Sequence, residues 1–289
     1  MRFFIQHQTR YQYSAPVFLD PHVVRLTPRI DPTQVLHRFN LDIDPAPVGR
    51  VDGLDAENNT FAQIWFEGLH TQLALRAELE IETLARNPFA GLLTDATDRL
   101  PLVLSRDLQT RLSPYLRTVY HPLTETWVRT LMDGAGGDTL AFLSGLCADL
   151  YTRITRVRRM EPGIQPAVTT LETGRGACRD LALLFIEASR SVGIPARFIS
   201  GYQRLGDDQT HPDLHAWAEV FLPGLGWRGY DAAQELAVTD DHVVLSASAT
   251  PENTAPVIGS FRGKGESSVH YSIKIETSEL SRLGHRERG

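Results

Sequence analysis

The chain has 289 residues, of which 42% are hydrophobic and 22% charged. This excludes a mainly disordered chain and leaves room for about two domains. The formal charge is −6, from 29 basic and 35 acidic residues, so no strongly cationic surface is expected and no nucleic-acid partner. Two cysteines, Cys147 and Cys178, cannot form a disulfide framework, and a reducing compartment is the simpler expectation.

The opening MRFFIQHQTRYQYSAPVF lacks the apolar core of a signal peptide. No stretch is long and apolar enough to predict a membrane helix, so no membrane partner is expected and cytoplasmic location follows by default. Residues 1 to about 85 read as strands. Asp20-Pro21, Asp31-Pro32 and Asp44-Pro45 punctuate them, and Leu73, Leu75, Ala77, Leu79 and Ile81 alternate onto one face. Short strands between such turns predict a small β-sandwich. His7, His22, His37 and His70 are spread through it and read as surface or strand residues, not metal ligands.

Residues 86 to about 137 read as a connector with short helices. A helix then follows in DTLAFLSGLCADLYTRI. Leu143, Leu146, Cys147, Leu150, Tyr151 and Ile154 are spaced to form one apolar stripe, which makes Cys147 a small buried hydrophobe. Arg153, Arg156, Arg158 and Arg159 are expected to close that helix and complement its dipole, with a polyanion site as the lesser alternative.

The chemistry is concentrated in TLETGRGACRDLALLFIEASRSVGIPARFISGY. A helix is predicted from Cys178, ended by Gly193 and Pro195. A cysteine in the first turn of a helix has its thiolate stabilised by free N–H groups and the dipole, and the same groups can bind an oxyanion. Downstream, His215, Trp217, Glu219 and Phe221 alternate on one face of a strand, PGLG turns, and WRGYD returns. For His215 and Asp231 to share a face, the hairpin loop must hold three or five residues. Leu222 then opposes Gly226, and Asp231 opposes Trp217, diagonal to His215. Cysteine, imidazole and carboxylate in this arrangement supply a nucleophile, a base that later protonates the leaving amine, and a group that fixes the imidazole tautomer.

The residues G-A-C-R-D, G-I-P-A-R-F-I-S-G-Y, H-A-W-A-E-V-F-L-P-G-L-G-W and Asp231 resemble the transglutaminase-like superfamily of papain-like cysteine enzymes. H-Q-T-R-Y-Q-Y, V-V-R-L-T-P-R, D-H-V-V-L-S-A-S and P-V-I-G-S-F-R-G extend the likeness to the bacterial transglutaminase-like proteins over nearly the whole chain. The resemblance implies an α+β fold: an N-terminal small β-sandwich (1–90), then a catalytic domain of helices packed on an antiparallel sheet (91–289). It places the nucleophile on Cys178, the base on His215 and the carboxylate on Asp231. It also implies a cysteine peptidase, amidase or acyltransferase working through a thioester on a peptide, protein or other amide substrate, with no metal or organic cofactor. Two departures stand out. Ala232-Ala233 replaces the common Pro-Thr after the aspartate, and Ala247-Ser248-Ala249 replaces a frequent Gly-Arg-Asp. They motivate a second reading, a catalytically silent binding or scaffolding module on the same fold.

Other candidates carry less. His211 and His215 form H-x-x-x-H, but Pro212 and the strand alternation oppose the shared helical face that zinc needs, so no metal site is expected. Asp180 reads as a buried helix acid held by backbone contacts, with a role in placing the active-site loop as an alternative. Trp217 reads as core, with shielding of His215 as its second role. Gly174 and Gly176 lack the G-K-[ST] of a phosphate cradle. The N-terminal region is open to three roles: shaping a substrate groove, recruiting a partner, or forming a homo-oligomer.

Overall fold

The structure, a computed structural model, describes residues 1–84, 87–89, 98–159, 161–204 and 212–279. In chain order it runs β1 (Arg2–Leu19), β2 (His22–Val24), β3 (Gln34–Asp44), β4 (Gly49–Leu54), β5 (Thr60–Trp65) and β6 (His70–Thr83). There follow α1 (Arg106–Arg111), α2 (Pro122–Gly134), α3 (Thr139–Arg153), β7 (Thr155–Arg156), α4 (Ala167–Thr173), β8 (Arg175–Gly176) and α5 (Cys178–Ser191). The last part is β9 (Ala196–Gln203), β10 (His215–Leu222), β11 (Gly226–Asp231), β12 (Leu236–Ala237), β13 (His242–Ser248), β14 (Val257–Ile258), β15 (Phe261–Arg262) and β16 (Ser267–Ser278).

The N-terminal strands form two sheets. One has the order β15-β1-β6-β3, with β16 also paired to β1; the other runs β14-β2-β5-β4. Tyr13, Val17, Leu19, Val24, Ile64, Phe66, Leu73 and Leu75 form the core between them. This is the expected sandwich, and the alternation in β6 is its cause: Leu73, Leu75, Ala77, Leu79 and Ile81 are all buried. The sequence reading did not anticipate β16. It lies opposite β1 from Arg2↔Ser278 to Tyr13↔Ser267, so a strand far beyond residue 90 completes the first sheet.

The third sheet, β12-β11-β10-β9-β13, carries the helices. Leu143, Leu146 and Leu150 of α3, and Leu181, Leu184, Phe185 and Ala188 of α5, pack on Phe198, Ala218, Val220 and Tyr230. The predicted stripe of α3 holds except at Tyr151, which is 49% exposed; Phe142 is buried instead. α5 begins at Cys178 and stops where expected, with Gly193 at φ +82 just past its end. A Cβ at Gly193 would also lie 2.7 Å from the Leu102 carbonyl oxygen. The TLETG segment is more ordered than a turn: it closes α4, capped by Gly174 in the left-handed conformation. The arginine run does not end a helix as a block. Arg153 alone lies in the last turn of α3, paired with Asp149, while the other three continue into β7 and the loop after it.

The first and third sheets meet through Phe3, Ile5, Leu79, Ile81, Tyr202, Val243, Leu245 and Ile273. His7 and His22 are buried rather than exposed. The His7 ring sits between the Tyr202 hydroxyl (Nδ1, 2.8 Å) and the Thr9 hydroxyl (Nε2, 3.2 Å). Burial lowers its pKa from 6.5 to about 4. The unfolded chain takes up this proton below about pH 6.5, but the native protein resists it until about pH 4. The neutral ring therefore contributes its full stability above pH 6.5 and loses it as the pH falls towards 4, an effect of about 3 kcal/mol. Urea unfolding across that range is expected to show a flatter pH dependence in His7→Gln than in the wild type. Parallel curves for the two proteins would refute this linkage.

Candidate active site

Cys178 is half-buried at the first position of α5. The N–H groups of Asp180 and Leu181 both bond to the Ala177 carbonyl. That leaves the Cys178 and Arg179 N–H groups as first-turn donors without an intrahelical acceptor, positive ends that favour an anion beside the sulfur.

The third sheet supplies the other two groups. β10 and β11 pair with Leu222 opposite Gly226 and Ala218 opposite Tyr230. The loop is Pro223-Gly224-Leu225, three residues, one of the two lengths the parity argument allowed. His215 and Asp231 consequently meet, with Nε2 2.7 Å from Oδ2. The other ring nitrogen is left for Cys178, which lines the same cleft as His215 and lies near enough to raise the imidazole pKa. Burial by itself would lower the His215 pKa. The charges and hydrogen bonds of Asp231 and Cys178 outweigh it and raise the pKa to about 10. Burial likewise opposes ionisation of Asp231, but His215 and His242 hold the carboxyl well below its ordinary range. Trp217 is buried and stacks on His215 with ring centroids 6.1 Å apart, which covers one face of the imidazole. Gly201, opposite His215 on β9, leaves the space this requires: a Cβ there would lie 2.7 Å from the Trp217 ring and 2.1 Å from the Val243 carbonyl oxygen.

Neither departure after Asp231 displaces it. The Ala233 N–H donates to Asp231 Oδ1 at 3.0 Å, so the Ala-Ala turn still orients the carboxylate. Ala247-Ser248-Ala249 docks on the N-terminal region: Asn59 bonds both polar groups of Ala247, and Glu57 accepts from the Ser248 hydroxyl and, at 2.8 Å, from the Ala249 N–H.

Asp180 is fully buried and holds the loop facing Cys178. It accepts from Arg159 Nη1 at 2.7 Å, the Gln165 N–H at 2.9 Å and the Ala177 N–H at 2.8 Å. Arg179 clasps the same loop through the carbonyls of Gly163 and Glu161, both at 2.8 Å. Sequence reading missed Arg159 as the partner of Asp180, because a spacing of 21 residues carries no local signal. Asp180→Ala would leave two N–H groups without an acceptor and Arg159 with only its longer contact to Glu161 at 3.8 Å. A loss of about 3 kcal/mol is expected, at the low end for a broken buried pair because Arg159 can still reach water. A urea midpoint within error of the wild type would contradict it.

A cleft of about 910 Å³ takes in Cys178 and His215, with walls that include Val157, Ile164, Phe198, Leu214 and Val269. Tyr271 of β16 also lines it. Its hydroxyl donates to Asp213 Oδ2 at 3.1 Å and accepts from Arg158 Nη2 at 3.3 Å. The H-x-x-x-H pair cannot be placed, since His211 lies outside the described residues. The ligand atoms of His215, Asp231 and His242 lie within 4.8 Å of one another. Both imidazoles, however, direct Nε2 at the same carboxylate oxygen, and a cation would have to displace those protons. No helix among the described residues is long and apolar enough to cross a membrane.

A cysteine at a helix start, facing an antiparallel sheet that presents histidine and aspartate, defines a papain-like cysteine-enzyme fold. Residues 3–82 match the bacterial transglutaminase-like N-terminal region, and residues 125–232 match the transglutaminase-like superfamily. The chain belongs to the transglutaminase-like superfamily, in the form that carries this N-terminal region. It is 23% identical over 295 residues to an uncharacterized protein of Mycobacterium leprae, covering 94% of this chain and 97% of the relative. It is 25% identical over 298 residues to an uncharacterized protein of Mycobacterium tuberculosis, covering 93% and 90%. Among solved structures, one described as a candidate cysteine protease from Cytophaga hutchinsonii superposes with a TM-score of 0.73 at 18% identity, covering 97% of this chain and 92% of the other.

Proposed function

We propose that this protein is a cysteine enzyme that opens amide or isopeptide bonds by acyl transfer through Cys178. The observation that carries this reading is the placement of His215, with one ring nitrogen 2.7 Å from Asp231 and the ring in the same cleft as Cys178. The imidazole takes the thiol proton and remains beside the thiolate as an imidazolium. The sulfur attacks the carbonyl carbon, and the negative charge moves to the oxygen, within reach of the first-turn N–H groups of α5. On collapse the C–N bond breaks, and His215 delivers its proton to the departing amine. A thioester on Cys178 remains. Water resolves it in a peptidase or amidase, with His215 now removing a proton from the water; an amine resolves it in transamidation.

The test uses p-nitrophenyl acetate as an acyl donor. A burst of p-nitrophenol matching the enzyme concentration is expected, with an acetyl adduct on Cys178 seen by peptide mass spectrometry. Cys178→Ala should abolish both. An equal burst from that variant would sink the proposal, and absence of a burst from folded wild type would favour the silent binding module.

A further inference from the structure

We propose that His242 is a positioning residue for this site: its Nε2–H fixes the Asp231 carboxylate in the orientation that serves His215. This rests on the triad reading given above. β13 pairs with β9 so that His242 lies opposite Gln203, two residues from the Gly201 that faces His215. The His242 side chain is fully buried, and its Nε2 lies 3.1 Å from Asp231 Oδ2, the same oxygen that His215 reaches. The Ala233 N–H holds the other oxygen. Three donors thus fix a carboxylate that is itself out of solvent.

The proton inventory sets the state of His242. Asp231 can only accept, so both Nε2 atoms facing it carry protons. The Nδ1 atom of His242 is buried and has no partner among the described residues. A second proton there would lack an acceptor, so His242 is the neutral tautomer protonated at Nε2. The charged and titratable groups around it are Asp231 on β11, His215 on β10 and Asp241 beside it in sequence; burial, aided by the His215 charge, lowers its pKa and outweighs the opposing pull of Asp231 and Asp241. The edge of its ring meets Trp217, with centroids 4.9 Å apart at 70°. A residue that merely filled this space would be better apolar, since an imidazole with an orphaned nitrogen is costly to bury. The hydrogen bond to Asp231 offsets that cost. The D-H pair was visible in the sequence, but its spacing from Asp231 assigns it no role.

The test is the pH dependence of iodoacetamide alkylation at Cys178 in the full chain, with circular dichroism to establish folding. Wild type is compared with His242→Ala, His242→Met, His242→Gln and Asp231→Asn. Methionine fills the space without a donor, and the glutamine amide can place a donor where Nε2 was. Loss of the donor is expected to move the acid limb of the profile up by about one pH unit, equivalent to about tenfold in rate on that limb. Glutamine should restore most of it. A wild-type profile in His242→Met alongside a shifted one in Asp231→Asn would overturn the role of His242 while leaving the triad intact. Variants that lose thermal stability equally, glutamine included, with unchanged profiles would reduce His242 to a structural residue and overturn the inference. An unshifted profile in Asp231→Asn as well would remove the triad reading, and this inference with it.

Discussion

Replacing Asp231 by asparagine is expected to slow turnover of the acetyl-enzyme by roughly 10⁴-fold, the size of the same change in a serine-enzyme triad. The reason lies in the hydrogen bonds the carboxylate accepts. Its Oδ1 takes the Ala233 N–H, and its Oδ2 takes Nε2 of both His215 and His242. An asparagine can satisfy only one side. With its oxygen kept on Ala233, its amide nitrogen faces two imidazole nitrogens that must then become acceptors. The His215 proton moves to the other ring nitrogen, the one that should receive a proton during catalysis. With the amide reversed, the Ala233 N–H is orphaned in a buried site. Neither orientation restores the negative charge that stabilises the imidazolium. Steady-state release of p-nitrophenol from p-nitrophenyl acetate, followed after the burst, measures the effect. A folded variant within tenfold of the wild type would show that His215 does not depend on the carboxylate.

The second large effect concerns the sulfur. His215→Ala is expected to slow alkylation of Cys178 by iodoacetamide at pH 6 by about tenfold or more. An unassisted thiol is only about 0.3% ionised at that pH. A thiolate paired with an imidazolium is far more abundant, and its lower basicity returns part of that gain. The His215 pKa, raised to about 10, also fixes the sign of the linked stability. Its pairing contributes fully below the unfolded value of about 6.5 and is lost as the pH rises through 10. The wild-type alkylation rate should therefore stay level from its acid limb to about pH 10. Equal, slow labelling of wild type and variant would point to a protein that keeps the fold without the chemistry.

The features legible in the sequence are those set by local periodicity. The start and stop of α5 follow from Cys178, Gly193 and Pro195. The meeting of His215 with Asp231 follows from strand alternation and the length of one loop, because a period of two leaves only odd loops on the same face. The alternation in β6 revealed the sandwich core in the same way. What stayed hidden depends on partners distant in sequence. Arg159 looked like part of a basic helix end until Asp180 was seen to hold it. His7 reads as a surface or strand residue and lies in β1, but its burial has no local signal because the Tyr202 hydroxyl that satisfies it lies 195 positions away. Tyr151 was read into an apolar stripe because periodicity continues to the end of a helix whether or not anything packs there.

The pairing of β16 with β1 has a consequence for biosynthesis. β1 is made before every other strand described and must wait for β16, the last of them, before its sheet is complete. Val269 and Tyr271, which wall the cleft, arrive with that late strand. A nascent chain can therefore hold Cys178, His215 and Asp231 while lacking one side of the groove that would grip a substrate. Assembly of the groove is deferred until β16 has been made, after the third sheet and its helices.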